Sequence, residues 1–233
     1  MFKDSADFRR VASGVLLIVA PLLQAIAVIL DPGTWGDDRE AVSFGADPVL
    51  AQVQSVLYHW AYLLMALAAL GLLHVMRRRA AVFGHIAGPL VILGYINLSG
   101  LLMADPVEWW LGRHHSPEEA TRIMDEMVNL PGVIFGFQMP WIFFAIFGMP
   151  VLAVGAWRAG FAHWWIPLVL AVGYGGSMFV GYGPATVVLW GIPVAALGAL
   201  GVRMLRMSRD EWISYYPAAS TAAASAPATG VGA

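Results

Sequence analysis

Apolar residues run in six long blocks along the chain, separated by short segments that hold nearly all the charge. The blocks cover Val11–Leu30, Gln54–Met76, Val82–Ala104, Val133–Trp157, Trp164–Tyr182 and Thr186–Leu205. A helix that crosses the hydrocarbon core of a bilayer needs about 20 consecutive apolar residues. The pattern predicts an all-α polytopic membrane protein, with six transmembrane helices in one domain over residues 1–216. Residues 217–233 are mostly Ala, Ser, Thr and Gly without periodicity, which predicts a disordered cytoplasmic tail.

One polar segment carries a helical pattern of its own. Ser116-Pro117-Glu118-Glu119 reads as a capping box with Pro at the first helical position. Ala120, Ile123, Met124, Met127 and Val128 then share one face, opposite Glu118, Arg122, Asp125, Glu126 and Asn129. Glu118 and Arg122 stand at the favourable i,i+4 spacing, and Pro131-Gly132 ends the run. A short amphipathic external helix, Pro117–Asn129, is expected between spans 3 and 4. It either decorates the surface or closes over a site, with its apolar face on the outer ends of those two spans.

Composition narrows the class further. The chain is 59% hydrophobic and 12% charged, against roughly 45–50% and about 25% in soluble domains. A formal net charge of −2 offers no basic face for nucleic acid. The absence of Cys removes disulfides, thiol nucleophiles, iron–sulfur clusters and Cys-ligated zinc.

The charge is distributed unevenly. Lys3, Arg9, Arg10, Arg77, Arg78, Arg79, Arg158, Arg203, Arg206 and Arg209 place ten of thirteen basic residues on one side. The positive-inside rule makes that side cytoplasmic, together with both termini. Eleven of the fifteen acidic residues fall on the other side. Span 1 is longer than the core of a signal peptide and is read as retained. Trp35, Trp60, Trp109, Trp110 and Trp190 mark an outer aromatic belt, and Trp157, Trp164, Trp165 and Trp212 an inner one.

Polar side chains inside the spans gather at one depth. Counting about 1.5 Å per residue, Gln24, His59, Asn97 and Gln138 lie within about 7–10 Å of the outer ends of spans 1 to 4. Tyr174, Ser177 and Thr186 fall in the same outer half. Pro21 and Pro140 each free a backbone carbonyl near this layer. Two readings stay open: an outward-opening pocket, or amides and imidazole that simply link helices. The inner half offers few polar partners, so a pocket here suits a small lipophilic ligand better than an ion or a sugar.

The functional expectation is a non-enzymatic protein that binds, senses or exports such a molecule. Its ligand-binding residues would be Gln24, His59, Asn97, Gln138, Tyr174 and Ser177. The alternative is an intramembrane enzyme acting on a lipid or isoprenoid. His59 would then be the catalytic base, and Asp31, Asp105 and Glu108 at the rim would orient it or hold a divalent cation.

Other chemistry ranks lower. Ser177 in Gly173-Tyr-Gly-Gly-Ser177 needs a base that span 6 does not supply. His59 and His74 stand too far apart on one helix to share a haem, leaving His74, His85 and His163 at the inner boundary. Asp105, Glu108, His114 and His115 are the weaker candidates for a metal. No cofactor is expected, and the expected partners are the lipid bilayer and the small lipophilic ligand.

A faint internal repeat accompanies these features. Spans 1 and 3 leave the membrane through Asp31-Pro32-Gly-Thr-Trp35 and Asp105-Pro106-Val-Glu-Trp109. Spans 3 and 5 are entered through Arg79-Ala80…Phe83-Gly84-His85 and Arg158-Ala159-Gly160-Phe161-Ala162-His163. Three parallel two-helix units would give this pattern, as would ordinary boundary residues and helix stops.

The layout of Asp-Pro after span 1, His59 early in span 2, Arg77-Arg78-Arg79 before span 3 and Trp157-Arg158-Ala159-Gly160…Trp164-Trp165 between spans 4 and 5 resembles a group of small six-helix bacterial integral membrane proteins of unassigned function. The resemblance runs over residues 8–207. It implies a multi-pass location in a bacterial plasma membrane, and no catalytic residues come with it.

Overall fold

The computed structural model describes residues 4–36, 40–181 and 183–215, and all of its regular structure is helical, with no strand among the described residues. The expected tail, 217–233, lies outside them.

Five helices are long and apolar enough to cross a membrane: α1 (Ser5–Leu30), α4 (Pro48–Met76), α5 (Ala81–Leu101), α8 (Pro131–Arg158) and α10 (Pro184–Arg206). The block expected as span 5 forms a shorter apolar helix, α9 (Trp165–Gly175). Its glycines explain the shortening. Gly173, Gly175, Gly176, Gly181 and Gly183 lie close together, and each weakens a helix by about 1 kcal/mol relative to Ala. At Gly173 the small residue serves a contact, since a Cβ there would stand 2.8 Å from Pro193 on α10.

Each of these six helices packs on its successor, and α10 returns to α1, which closes the bundle. The core between them is built from small residues and a few large ones, including Tyr95, Tyr174, Met65, Leu72 and Leu152, all fully buried. Large apolar side chains such as Leu67, Ile96, Phe135 and Phe143 face outward instead. An apolar interior and an apolar exterior together are what a bilayer, and not water, permits.

Local signals set the helix ends. Asp4 caps α1 by accepting from the amides of Ala6 and Asp7 at 3.0 and 2.9 Å. Its carboxylate also receives the guanidinium of Arg209, at the start of α11 (Arg209–Ser214), so the amino-terminal end of α1 is tied to α11. Asp47 caps α4 through the Leu50 amide. The two Phe residues of the repeated Arg-Ala…Phe-x-His pattern have matching roles. Phe83 lies under the Arg158 guanidinium at 6.0 Å and Phe161 under that of Arg203 at 5.2 Å.

Four short helices gather at the opposite end: α2 (Pro32–Trp35), α3 (Glu40–Ala46), α6 (Asp105–His114), which continues α5 through a 3₁₀ turn, and α7 (Pro117–Val128). The amphipathic segment thus forms the expected helix, with two differences. Ser116 accepts from the Glu119 amide at 3.3 Å, but the Glu119 carboxylate turns to His115 at 3.0 Å and leaves the capping box half made. Arg122 pairs with Glu126 at 2.7 Å.

The apolar face of α7 rests on α3 and α6, where the expectation had the outer ends of spans 3 and 4. Ala41, Leu111, Ala120 and Met124 form a small separate core, joined by Ile123, Met127 and Val128. Gly45 and Gly112 allow this contact, because a Cβ on Gly112 would fall on the carbonyl oxygen of Ala41 and one on Gly45 on the backbone of Gly112. The 40–46 segment is too short and too mixed in polarity to stand out in the sequence.

Candidate functional site

A cavity of about 530 Å³ opens at the end where α2, α3, α6 and α7 gather. Helix α4 supplies one wall through Gln54, Tyr58 and Tyr62. These residues are spaced by four and so share a helical face. Asp31 and Thr34 come from the start of α2, Asp105 and Glu108 from α6, Gln138 and Trp141 from α8, and Ser177, Thr186 and Trp190 from the ends of α9 and α10.

Backbone irregularity shapes one side. Ile134–Gln138, Trp141–Ile146 and Ala171–Gly175 are wound as π-helix, a rare geometry frequent at functional sites. Pro140 separates the first two and lacks the N–H that a regular turn would use. The wider winding carries Gln138 and Trp141 onto the cavity wall.

The polar layer expected from the sequence divides in three. Gln138, Ser177 and Thr186 line the cavity. Gln138 donates to the carbonyl of Val128 at 2.9 Å, which ties α8 to the end of α7. Ser177 donates to the Tyr174 carbonyl at 2.8 Å and Thr186 to that of Gly181 at 2.7 Å. Gln24 and Tyr174 are fully buried outside the lining, with the Tyr174 hydroxyl donating to Gln24 Oε1 at 3.5 Å. Tyr62, on the cavity wall, approaches Gln24 as well, and its ring lies 6.2 Å from that of Tyr95.

His59 and Asn97 do not join the cavity. His59 is exposed on α4, with Nδ1 2.7 Å from the Ser99 hydroxyl. Asn97 donates to the Phe137 carbonyl at 2.7 Å. Both link neighbouring helices.

The residues read as rim acids occupy the wall itself. Asp31, Asp105 and Glu108 are 6%, 9% and 8% exposed. Asp31 accepts from the Gly33 amide at 2.9 Å and caps α2. Burial, opposed by that hydrogen bond and reinforced by the charge of Asp105, pushes its carboxyl up to about 6. Asp105 accepts from the Ser55 hydroxyl, and from Gln54 Nε2 at 3.3 Å. Gln54 itself is 1% exposed, and its Oε1 has no partner among the described residues.

His114 and His115 do not approach these acids. His114 stacks on Trp110 at 4.8 Å and bonds that residue's carbonyl, and His115 holds Glu119. Among the described residues no three His, Asp or Glu side chains gather as metal ligands would. Two histidines of the opposite end also part: His74 stacks on Trp212 at 3.8 Å, while His85 bonds the Ala81 carbonyl of its own turn.

A second cavity, of about 770 Å³, lies at the opposite end between α1, α4 and α5. Its walls include the half-exposed Leu67 and Leu70, with Arg9, Arg77, His74 and His85 among its polar groups. Among the described residues, no buried side-chain atom left without a partner lines it. The first cavity, with its buried acids and the open Gln54 acceptor, is therefore the candidate site.

The sequence held one unused pointer to this wall. Gln54, Tyr58 and Tyr62 repeat at helical spacing in an otherwise aliphatic block. Comparison with family models, with curated proteins and with solved structures found no match for the chain.

Proposed function

We propose that this chain is a six-span protein of the bacterial plasma membrane, with both termini cytoplasmic, that binds a small lipophilic molecule in the outer cavity as part of sensing or export. The observation that carries the reading is the cavity itself: a volume of about 530 Å³, within the range of small-molecule sites, with aromatic walls and a few converging polar groups. Support for a sixth crossing comes from α9. It leaves the end that holds Arg158 and Arg203, and the chain just beyond it brings Ser177 to the outer cavity.

The external helix supports a gated site. Val128, at the end of α7, both lines the cavity and accepts from Gln138. A shift of α7 off its small core would therefore alter the cavity wall. His59, outside the lining, gives no support to an enzyme that uses it as a base.

The test uses tryptophan emission. Trp141 and Trp190 line the cavity, so a bound bromophenyl compound quenches them. Purified protein in lipid nanodiscs is titrated with 4-(4-bromophenyl)butylamine, the corresponding butanol and the corresponding butanoate. Saturable quenching by at least one of them, lost in a Trp141→Phe, Trp190→Phe double variant, is expected. Only linear, partition-like quenching by all three would refute the reading.

A further inference from the structure

The second cavity, of about 770 Å³ between α1, α4 and α5, has a basic end and an apolar length. Arg9 comes from the start of α1 and Arg77 from the end of α4, with His74 one turn before it and His85 on α5. The charges of both arginines reach His74, which places the two guanidinium groups in one neighbourhood.

Among the described residues no Asp or Glu lines this cavity. Asp4 and Asp7, the acids nearest to Arg9 along the chain, are held by Arg209 and Arg10. Arg9 itself bonds only uncharged oxygens of Ser5 among the described residues. Two cations gathered beside an apolar wall repel each other and favour an anion between them. Guanidinium groups match the paired oxygens of a phosphate in particular.

The apolar part runs away from these groups along α4. Leu73, Leu70 and Leu67 follow from Arg77 over about 15 Å, faced by Leu16 on α1 and Pro89 on α5. Leu67 and Leu70 are each 50% exposed, so the trough is open on the side that a bilayer covers. Its depth comes from small residues, since a Cβ on Gly71 would overlap the Ser13 side chain of α1. Exposed cations at one end and a hydrocarbon-lined trough below them have the layout of a lipid head group and chain.

We propose that this groove holds one anionic phospholipid, with its phosphodiester at Arg9 and Arg77 and an acyl chain along Leu67, Leu70 and Leu73. A soluble phosphate would use the basic end alone and leave the trough uncovered. A zwitterionic lipid would bring a cation back to the arginine pair. The site is independent of the small-molecule reading of the outer cavity, and either can fail without the other.

Native mass spectrometry of the full chain, released from detergent micelles, tests this with dioleoyl phosphatidylglycerol and dioleoyl phosphatidylcholine. These lipids share their chains and their phosphodiester and differ in net charge. The first is expected to bind at least tenfold more tightly. An Arg9→Gln, Arg77→Gln double variant should lose at least tenfold for phosphatidylglycerol. An Arg78→Gln, Arg79→Gln double variant, which removes the same charge outside the lining, should stay within twofold. All four arginines are exposed, so their replacement leaves the packing of the bundle alone. Leu70→Trp, which fills the trough and keeps the charges, should cost at least fivefold.

Equal affinity for the two lipids would overturn the proposal, as would equal losses in the two arginine variants. Unchanged binding in Leu70→Trp would overturn the seating of the chain in the groove. Full displacement of the lipid by sn-glycerol 3-phosphate would assign the basic end to a soluble phosphate instead. A protein dimer in the same spectra that Leu70→Trp abolishes, with lipid binding unaltered, would assign the groove to a second copy of the chain.

Discussion

Asp31 and Asp105 begin two separate short helices with the same Asp-Pro dipeptide, and their carboxyl groups line one cavity. The pattern that repeats in the sequence is thus a repeated way of starting a helix beside the site. In both cases proline takes an early helical position, where its missing N–H costs nothing.

Asp31 should make the protein less stable as pH rises. Burial first, and then the charge of Asp105, raise its carboxyl from 3.8 to about 6. An acid whose folded-state pKa exceeds its unfolded value favours the folded state when protonated. The penalty for ionising it is absent below about pH 4, grows through about pH 6 and is complete above that. Asp31→Asn keeps the cap on α2 and removes the penalty, for a gain of up to about 3 kcal/mol at pH 8. Asp105 and Glu108 line the same cavity and remain in the variant, so the difference between the two proteins isolates Asp31. Melting curves at pH 4.5 and pH 8 check this; an equal offset at both would contradict it.

The cap formed by α3, α6 and α7 depends on close backbone approach. Gly112→Ala puts a methyl on the Ala41 carbonyl, an overpacking worth roughly 1–3 kcal/mol. Gly100→Ala, where a Cβ meets nothing within 4 Å, should be neutral or mildly stabilising. Hydrogen exchange should speed up over residues 40–46 and 117–128 in the first variant and in neither region in the second.

Met124 anchors α7, being 8% exposed within the small core. Met124→Ser removes apolar burial worth about 2 kcal/mol. That shifts a two-state α7 roughly thirtyfold toward the undocked form. Probe off-rates from the cavity should rise, and the melting temperature of the bundle should hardly move. Unchanged off-rates would reduce α7 to a surface decoration.

His59 separates binding from catalysis. It lies outside the cavity wall and bonds Ser99. His59→Ala should leave bromophenyl probe affinity within twofold of the parent; a large loss would return the imidazole to the site.

Orientation is tested by labelling. A cysteine at Glu118 should react with an impermeant thiol reagent in intact cells, and one at Arg78 only after lysis. The reverse pattern would invert the topology.

Periodicity and hydropathy by themselves determined the helical class, five of the long apolar helices and the amphipathic segment before Pro131. These follow from local rules, since a run of apolar residues must satisfy its own backbone in lipid and can do so only as helix. Depth was legible for the same reason, because counting residues along a helix measures distance. Rotation about the helix axis was not. Whether His59, Asn97 or Gln138 turns toward the bundle centre depends on neighbours distant in sequence, and only packing separated Gln138 in the wall from the other two on helix contacts. Tertiary structure likewise decided where α7 rests, since its partners α3 and α6 meet through Gly45 and Gly112, residues far apart in the chain. It also turned Asp31, Asp105 and Glu108 from rim residues into a buried wall beside Gln54. The charge of such groups is written in the sequence; their desolvation belongs to the fold.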